Sequence, residues 1–190
     1  MKTLKLVTSA AIASATLFAF APEAAASIKN PNDHPAYRAE LEPHINSIFW
    51  RYDYSRPVGR RGGRFKNFGD PEFGAGFRAT IELADPAFIP KLNNTVGISF
   101  GVDFTNCQYC RRDLWVWVPV TLQWNFFFNE HWSAFGDIGG VLRGDGFFTD
   151  VYADPAFMLG GRYHFNDNVA LTLRLGIPFM TFGVSFFVGS

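Results

Sequence analysis

Beyond its N-terminal region the chain has no uninterrupted apolar run of about 20 residues, so no second segment is suited to cross a bilayer as a helix. It also lacks net charge. Seventeen Lys and Arg balance seventeen Asp and Glu, and no global basic surface points to nucleic acid. Cysteine is scarce. The two present, Cys107 and Cys110, cannot form a four-thiolate zinc site within one chain, and no βαβ pattern of the thioredoxin kind surrounds them. There is no internal repeat and no low-complexity tract. Histidine is limited to four positions. His34 and His44 fall in a polar, proline-containing stretch and read as solvated, so neither a metal nor a cofactor is implied. Aromatic residues, by contrast, are abundant, at 17% with 22 Phe.

The clearest pattern is Leu114 to Phe128. Every second residue from Leu114 (Leu114, Val116, Val118, Val120, Leu122, Trp124, Phe126, Phe128) is apolar, while the alternate set turns polar at Thr121, Gln123 and Asn125. Period 2 means a β-strand with one face in an apolar medium. Strands of soluble proteins usually run about 5–6 residues, whereas a tilted strand crossing a bilayer needs about 9–11. Seven further strands follow from the same alternation: Ser47–Tyr54, Phe73–Leu83, Thr95–Phe104, Trp132–Arg143, Val151–Phe165, Val169–Ile177 and Met180–Val188. Pro119 lacks the N–H of a ladder bond, so a bulge or local break is expected there.

Ahead of the strands, Lys2 and Lys5, the small and apolar Leu6–Ala21 and the Ala24-Ala25-Ala26 site read as a secretory signal peptide over residues 1–26. Residues 27–46 read as a periplasmic lead-in and 47–190 as the barrel. Short turns at Asn129–His131 and Asn166–Asn168 share one end with Ala84–Asn94. The Arg-rich loop Ser55–Asp70, the cysteine loop and Gly144–Asp150 share the other.

One strand face collects Arg51, Asp53, Arg78, Glu82, Asp103, Gln123, Asp137, Arg143, Asp154, Arg162, His164 and Arg174; the other is almost free of charge. A lipocalin-type barrel is apolar inside, and a membrane barrel inverts this. So many polar groups of balanced sign imply a paired interior network with the apolar face towards lipid. Two aromatic bands agree with this. Trp124, Phe126, Phe128, Trp132, Tyr163 and Phe165 lie near the short-turn ends, and Trp50, Tyr52, Tyr54 and Tyr152 near the opposite ends.

Signal peptide, eight alternating strands and two aromatic bands together resemble the small eight-stranded outer-membrane β-barrel proteins of Gram-negative bacteria. The resemblance implies an all-β, closed, up-and-down antiparallel transmembrane barrel, exported to the outer membrane. Its partners would be outer-membrane lipid, lipopolysaccharide and the barrel-assembly machinery, which reads a C-terminal aromatic; here Phe186-Phe187 precede Val188-Gly189-Ser190.

The expected role is structural or surface-binding, in a monomer without enzymatic activity. An eight-stranded interior is just wide enough for side chains to fill, which argues against an open pore. The runner-up is a narrow transport barrel for small or hydrophobic molecules, followed by a lipid-modifying enzyme and a soluble carrier. Arg56, Arg60, Arg61 and Arg64 are candidates for bidentate lipopolysaccharide phosphate contacts. Cys107 and Cys110 are expected to form a disulfide within an outer loop. Arg143-Gly144-Asp145 matches an adhesion tripeptide but carries little weight at three residues.

Overall fold

The computed structural model describes residues 28–48, 51–52, 65–66, 72–106, 114–145 and 151–189. Its strands are β1 (Ala39–Ile48), β2 (Arg51–Tyr52), β3 (Phe65–Lys66), β4 (Glu72–Ala84), β5 (Asn94–Asn106), β6 (Leu114–Phe127), β7 (Trp132–Asp145), β8 (Val151–Asn166), β9 (Val169–Ile177) and β10 (Met180–Val188). Eight of them close into one barrel in the order β1-β10-β9-β8-β7-β6-β5-β4, and β2 and β3 form a separate two-stranded sheet. Each barrel strand runs antiparallel to its sequence neighbour, and β1 closes the ring against β10 and β4. Among the described residues no helix is long and apolar enough to cross a membrane.

Alternation sets the two surfaces. Along β6, Trp115, Trp117, Thr121, Gln123, Asn125 and Phe127 are buried inside, while Leu114, Val120 and Leu122 are exposed outside. The outer wall continues through Phe73, Ile138, Phe157, Leu159, Leu175 and Phe182, all large, apolar and exposed. A one-residue slip of any strand would exchange these sets, so the pattern also pins the register.

The first barrel strand is Ala39–Ile48, not Ser47–Tyr54, and the barrel therefore begins inside the stretch read as a lead-in. Prolines at 31, 35 and 43 had argued against a strand, yet Pro43 is accommodated. The ladder to β10 passes from Leu41↔Phe186 to His44↔Gly183 without pairing Glu42 or Pro43, and the register is unchanged. The missing N–H thus falls where no bond is made. Pro119 behaves in the same way. The β5–β6 ladder steps from Phe100↔Val120 to Asp103↔Trp117, which is a local break without a bulge, while Pro119 remains opposite Val141 on β7. Register shifts occur elsewhere, at Glu82/Ala84 and His164/Asn166.

Three consequences follow for the sequence-based assignments. Arg51 pairs with Lys66 in the small β2–β3 sheet and not in the barrel wall. Tyr152 is not part of an outer band, because it packs inside against Trp115 with ring centroids 6.4 Å apart. Asp53, Trp50, Tyr54, the signal segment 1–26, the loop arginines and both cysteines lie outside the described residues.

Candidate functional site

Among the described residues, chemistry-bearing side chains converge in the lumen, and three layers fill it. At the end carrying the short turns, Tyr37, Phe127, Ala170 and Phe187 form an apolar cluster. The segment before β1 folds back over this mouth. His34 stacks on Phe127 at 4.2 Å and 5° and is hydrogen-bonded to the Asn93 side chain. Tyr37 reaches the Thr95 hydroxyl at 3.1 Å. Burial, reinforced by the nearby Glu40 charge, pushes the Tyr37 hydroxyl well above the ordinary phenol range.

The middle layer is ionic. Glu40 accepts from Arg162 through both oxygens, Nε at 2.9 Å and Nη2 at 2.7 Å. The same guanidinium donates to Asn125 Oδ1 at 2.9 Å and Gln123 Oε1 at 3.2 Å. Glu42 and Asp137 flank Arg174 at 2.9 and 3.2 Å. Asp103 is the acceptor hub of a third group, taking bonds from His44 Nε2 at 2.6 Å, Asn46 Nδ2 at 2.8 Å and Arg78 Nη2 at 3.3 Å. The inward Phe135 ring lies beneath two guanidiniums, 4.0 Å from Arg162 and 4.8 Å from Arg174.

Several glycines make room for this layer, Gly160 and Gly76 among them. A Cβ on Gly160 would run into the Phe135 ring, and one on Gly76 would run into Asp103 and His44. Bidentate pairing and cation–π contact are what allow these charges to exist away from water.

The upper layer is mostly apolar, with aromatic rings at Trp115, Trp117 and Phe179. Ile48, Trp115, Trp117, Val141, Ala156, Met158 and Phe179 pack together, and Trp117 Nε1 donates to the Thr105 hydroxyl at 2.9 Å. An ion pair here joins Arg143 to Asp154, with the guanidinium over the Tyr152, Trp115 and Trp117 rings. Arg143 is thereby turned inward, so the Arg143-Gly144-Asp145 tripeptide is not displayed as an adhesion loop.

Of the predicted lumen charges, Arg78, Asp103, Asp137, Arg143, Arg162, His164 and Arg174 are buried inside, and Asp154 is partly buried. His164 Nε2 meets the Ser133 hydroxyl at 2.8 Å. Glu82 is only half-buried, two residues from the end of β4, where its backbone N–H donates to Arg38 O. The sequence reading missed Glu40, Glu42, His44 and Asn46, which supply two of the central acids and the hub's neighbours. The signal was present, since these polar residues recur at every second position across Pro43 with Leu41 and Ile45 between them. No group of three or more His, Cys, Asp and Glu suited to a metal occurs among the described residues.

Comparison with known proteins gives no match to a protein-family model and none to a curated protein. Among solved structures, the chain is similar to two of the outer-membrane protein Ail of Yersinia pestis. One is its backbone structure in a phospholipid bilayer nanodisc, at 11% identity and TM-score 0.47, covering 80% of this chain and 99% of that one. The other is the crystal structure of Ail, the attachment invasion locus protein, at 12% identity and TM-score 0.45, covering 79% of this chain and 97% of that one.

Proposed function

We propose that this chain is an integral outer-membrane β-barrel with a structural or surface-binding role, whose lumen is not an open pore. The observation that carries the reading is the inversion of the two surfaces. Arg78, Arg162, Arg174, Asp103 and Asp137 are enclosed, while Ile138 is 64% exposed and Leu159 58% exposed on the outside. In water such a wall would be a large aggregation-prone patch. In a bilayer it is the expected surface, and a closed barrel leaves no unpaired edge in lipid. A soluble carrier requires the opposite arrangement, with an apolar cavity inside.

Against a pore stands the filling of the lumen: Trp117, Met158 and Phe179 at one end, Tyr37, Phe127 and Phe187 at the other, and an ion-paired layer between them. The outward Trp132, Tyr163 and Phe165, with ring centroids 5.0 and 5.3 Å apart in sequence, fit the bilayer interface on the short-turn side. In this reading the signal segment directs export and is removed after Ala26. The short-turn end is periplasmic, and Arg56, Arg60, Arg61 and Arg64 meet lipopolysaccharide phosphates in a loop steadied by a Cys107–Cys110 disulfide.

Fractionation of the expressing cells tests the core of this reading. The protein is expected in the outer-membrane fraction, extracted only by detergent, with heat-modifiable gel mobility; recovery in the soluble fraction would overturn it. Planar-bilayer recordings of purified protein are expected to lack steady openings. Replacing the four loop arginines by Ser is expected to weaken lipopolysaccharide binding and its salt dependence, and unchanged binding would remove that part of the proposal.

A further inference from the structure

The short-turn mouth is covered by chain that belongs to no strand. Residues 28–38 cross it in turns, and 29–33 are exposed there. Pro31 and Pro35 bring no N–H, so this segment is ill-suited to a ladder. Its downstream end is firm. The Arg38 N–H donates to Val188 O at 3.0 Å, and the Arg38 carbonyl accepts from the Glu82 N–H at 3.0 Å, which starts the sheet. Upstream of that point the contacts shift to side chains. His34 lies flat on Phe127. Tyr37 stands against Phe187 with centroids 5.0 Å apart and reaches Thr95.

One barrel residue grips this segment at three points. Asn93 is wholly buried and sits in the connection between β4 and β5, which is longer than the turns at 129–131 and 166–168 of the same end. Its backbone N–H donates to Ile28 O at 2.8 Å, and its amide nitrogen donates to Asp33 O at 2.7 Å. The amide oxygen can only accept, so His34 Nδ1 is the donor in the third bond. The base of this grip is fixed. Asn94 ties the connection to itself through Ile89 O and Leu92 O, and Asn93 O accepts from the Phe127 N–H.

We propose that residues 28–37 are a gate, with Arg38 as its hinge and Asn93 as its latch, that admits water and small hydrophilic molecules to the short-turn half of the lumen. A segment outside the sheet, held by a handful of contacts, opens at far lower cost than the barrel itself. The entropy of ordering its backbone works against the latch throughout. In the export reading above, removal of residues 1–26 also leaves the gate as the free end of the mature chain. Beneath it the lumen turns polar within one step. Tyr37 Oη accepts from Asn125 Nδ2 at 3.4 Å, and Asn125 Oδ1 accepts from Arg162 Nη1 at 2.9 Å. With Tyr37 withdrawn, water reaches the Glu40–Arg162 pair. His164 Nδ1 and Gln123 Nε2, buried without a hydrogen-bond partner among the described residues, can then bind it. Passage stops at Trp117, Met158 and Phe179, so an open gate hydrates one half without making a pore.

The test times a thiol placed under the gate. Ala170→Cys puts it in the buried cluster of Tyr37, Phe127 and Phe187, and Cys107→Ser/Cys110→Ser removes the native thiols. Full-length protein is expressed in cells and purified in detergent, and its reaction with a charged, water-soluble methanethiosulfonate is followed by mass spectrometry. Asn93→Ala keeps the backbone bonds of the latch but removes both side-chain bonds. It is expected to speed the reaction roughly tenfold, the scale of one lost buried hydrogen bond. His34→Ala alters the gate and no strand, is expected to act in the same direction, and carries the test if Asn93→Ala does not fold. A second reporter, Ala156→Cys in the opposite half, is expected to react slowly and equally whether or not the latch is intact. Equal rates at position 170 with and without the latch overturn the gate. A fast rate there with the latch intact also overturns it, because the mouth is then not closed. So does a parallel rise at position 156, because the whole barrel is then loosened. These rates are read independently of cell fractionation, so a failed gate leaves the membrane reading standing.

Discussion

The two halves of the lumen are built on different principles. In the half nearer the short turns, ion pairs span the barrel: Glu40 and Arg162 are 122 residues apart in sequence, and Glu42 and Arg174 are 132 apart. These contacts tie β1 to β8 and β9, strands it never pairs with in the sheet. In the opposite half the ion pair Arg143–Asp154 joins β7 to its hairpin partner β8, and among the described residues apolar packing does much of the rest. Backbone ladders can close a barrel in more than one stagger. Long-range charge pairs across the interior reject the wrong ones, because each would leave a buried charge without its partner. The local pair selects nothing of this kind, since its hairpin is already in register.

On this contrast the largest effect comes from Arg162→Ala. It strands Glu40 and removes donors from Asn125 and Gln123, with an expected loss of about 3–5 kcal/mol. Urea unfolding in bilayers or micelles, followed by tryptophan fluorescence, measures it. The double variant Glu40→Met/Arg162→Met is expected to recover most of that loss, since no charge is then left alone. Recovery absent from the double variant would mean that the pair matters for its volume and not its charge.

Next comes the outer wall. Ile138→Arg, near the middle of β7, is expected to lose about 2–4 kcal/mol in a bilayer, whereas Phe165→Arg, close to the strand end, should lose about 0–1. Equal losses would deny the depth assigned to these positions. In the opposite half, Met158→Ala is expected to lose about 2–3 kcal/mol from the lost contacts and the cavity left behind, without the recovery by a second substitution expected for the ion pair. The smallest effect is Asp154→Asn. The acid is partly solvated, its pair is local, and the amide oxygen can still accept from Arg143 Nε, so the change should stay near about 1 kcal/mol.

Much of this was legible beforehand. Seven of the barrel strands, from the Phe73–Leu83 stretch to Met180–Val188, were visible as alternation, and so was the inward direction of Arg78, Asp103, Asp137, Arg162 and Arg174. The eighth was misplaced because three prolines outweighed the period-2 pattern from Glu40 to Asn46. Proline excludes a residue from a ladder only on the side where its N–H would bond, and sequence does not say which side that is. Tyr152 was misread for a related reason. Its position near a strand end suggested a surface ring, but in alternation with Asp154 it faces inward.

Sequence by itself determined the two surfaces. Side chains alternate along any strand, so the apolar and charged sets were separated before any strand was paired with another. Tertiary structure alone decided which acid meets which arginine and that the segment before β1 folds over one mouth. Each of these depends on barrel closure and stagger, which bring together residues more than a hundred positions apart, and no local period records that distance.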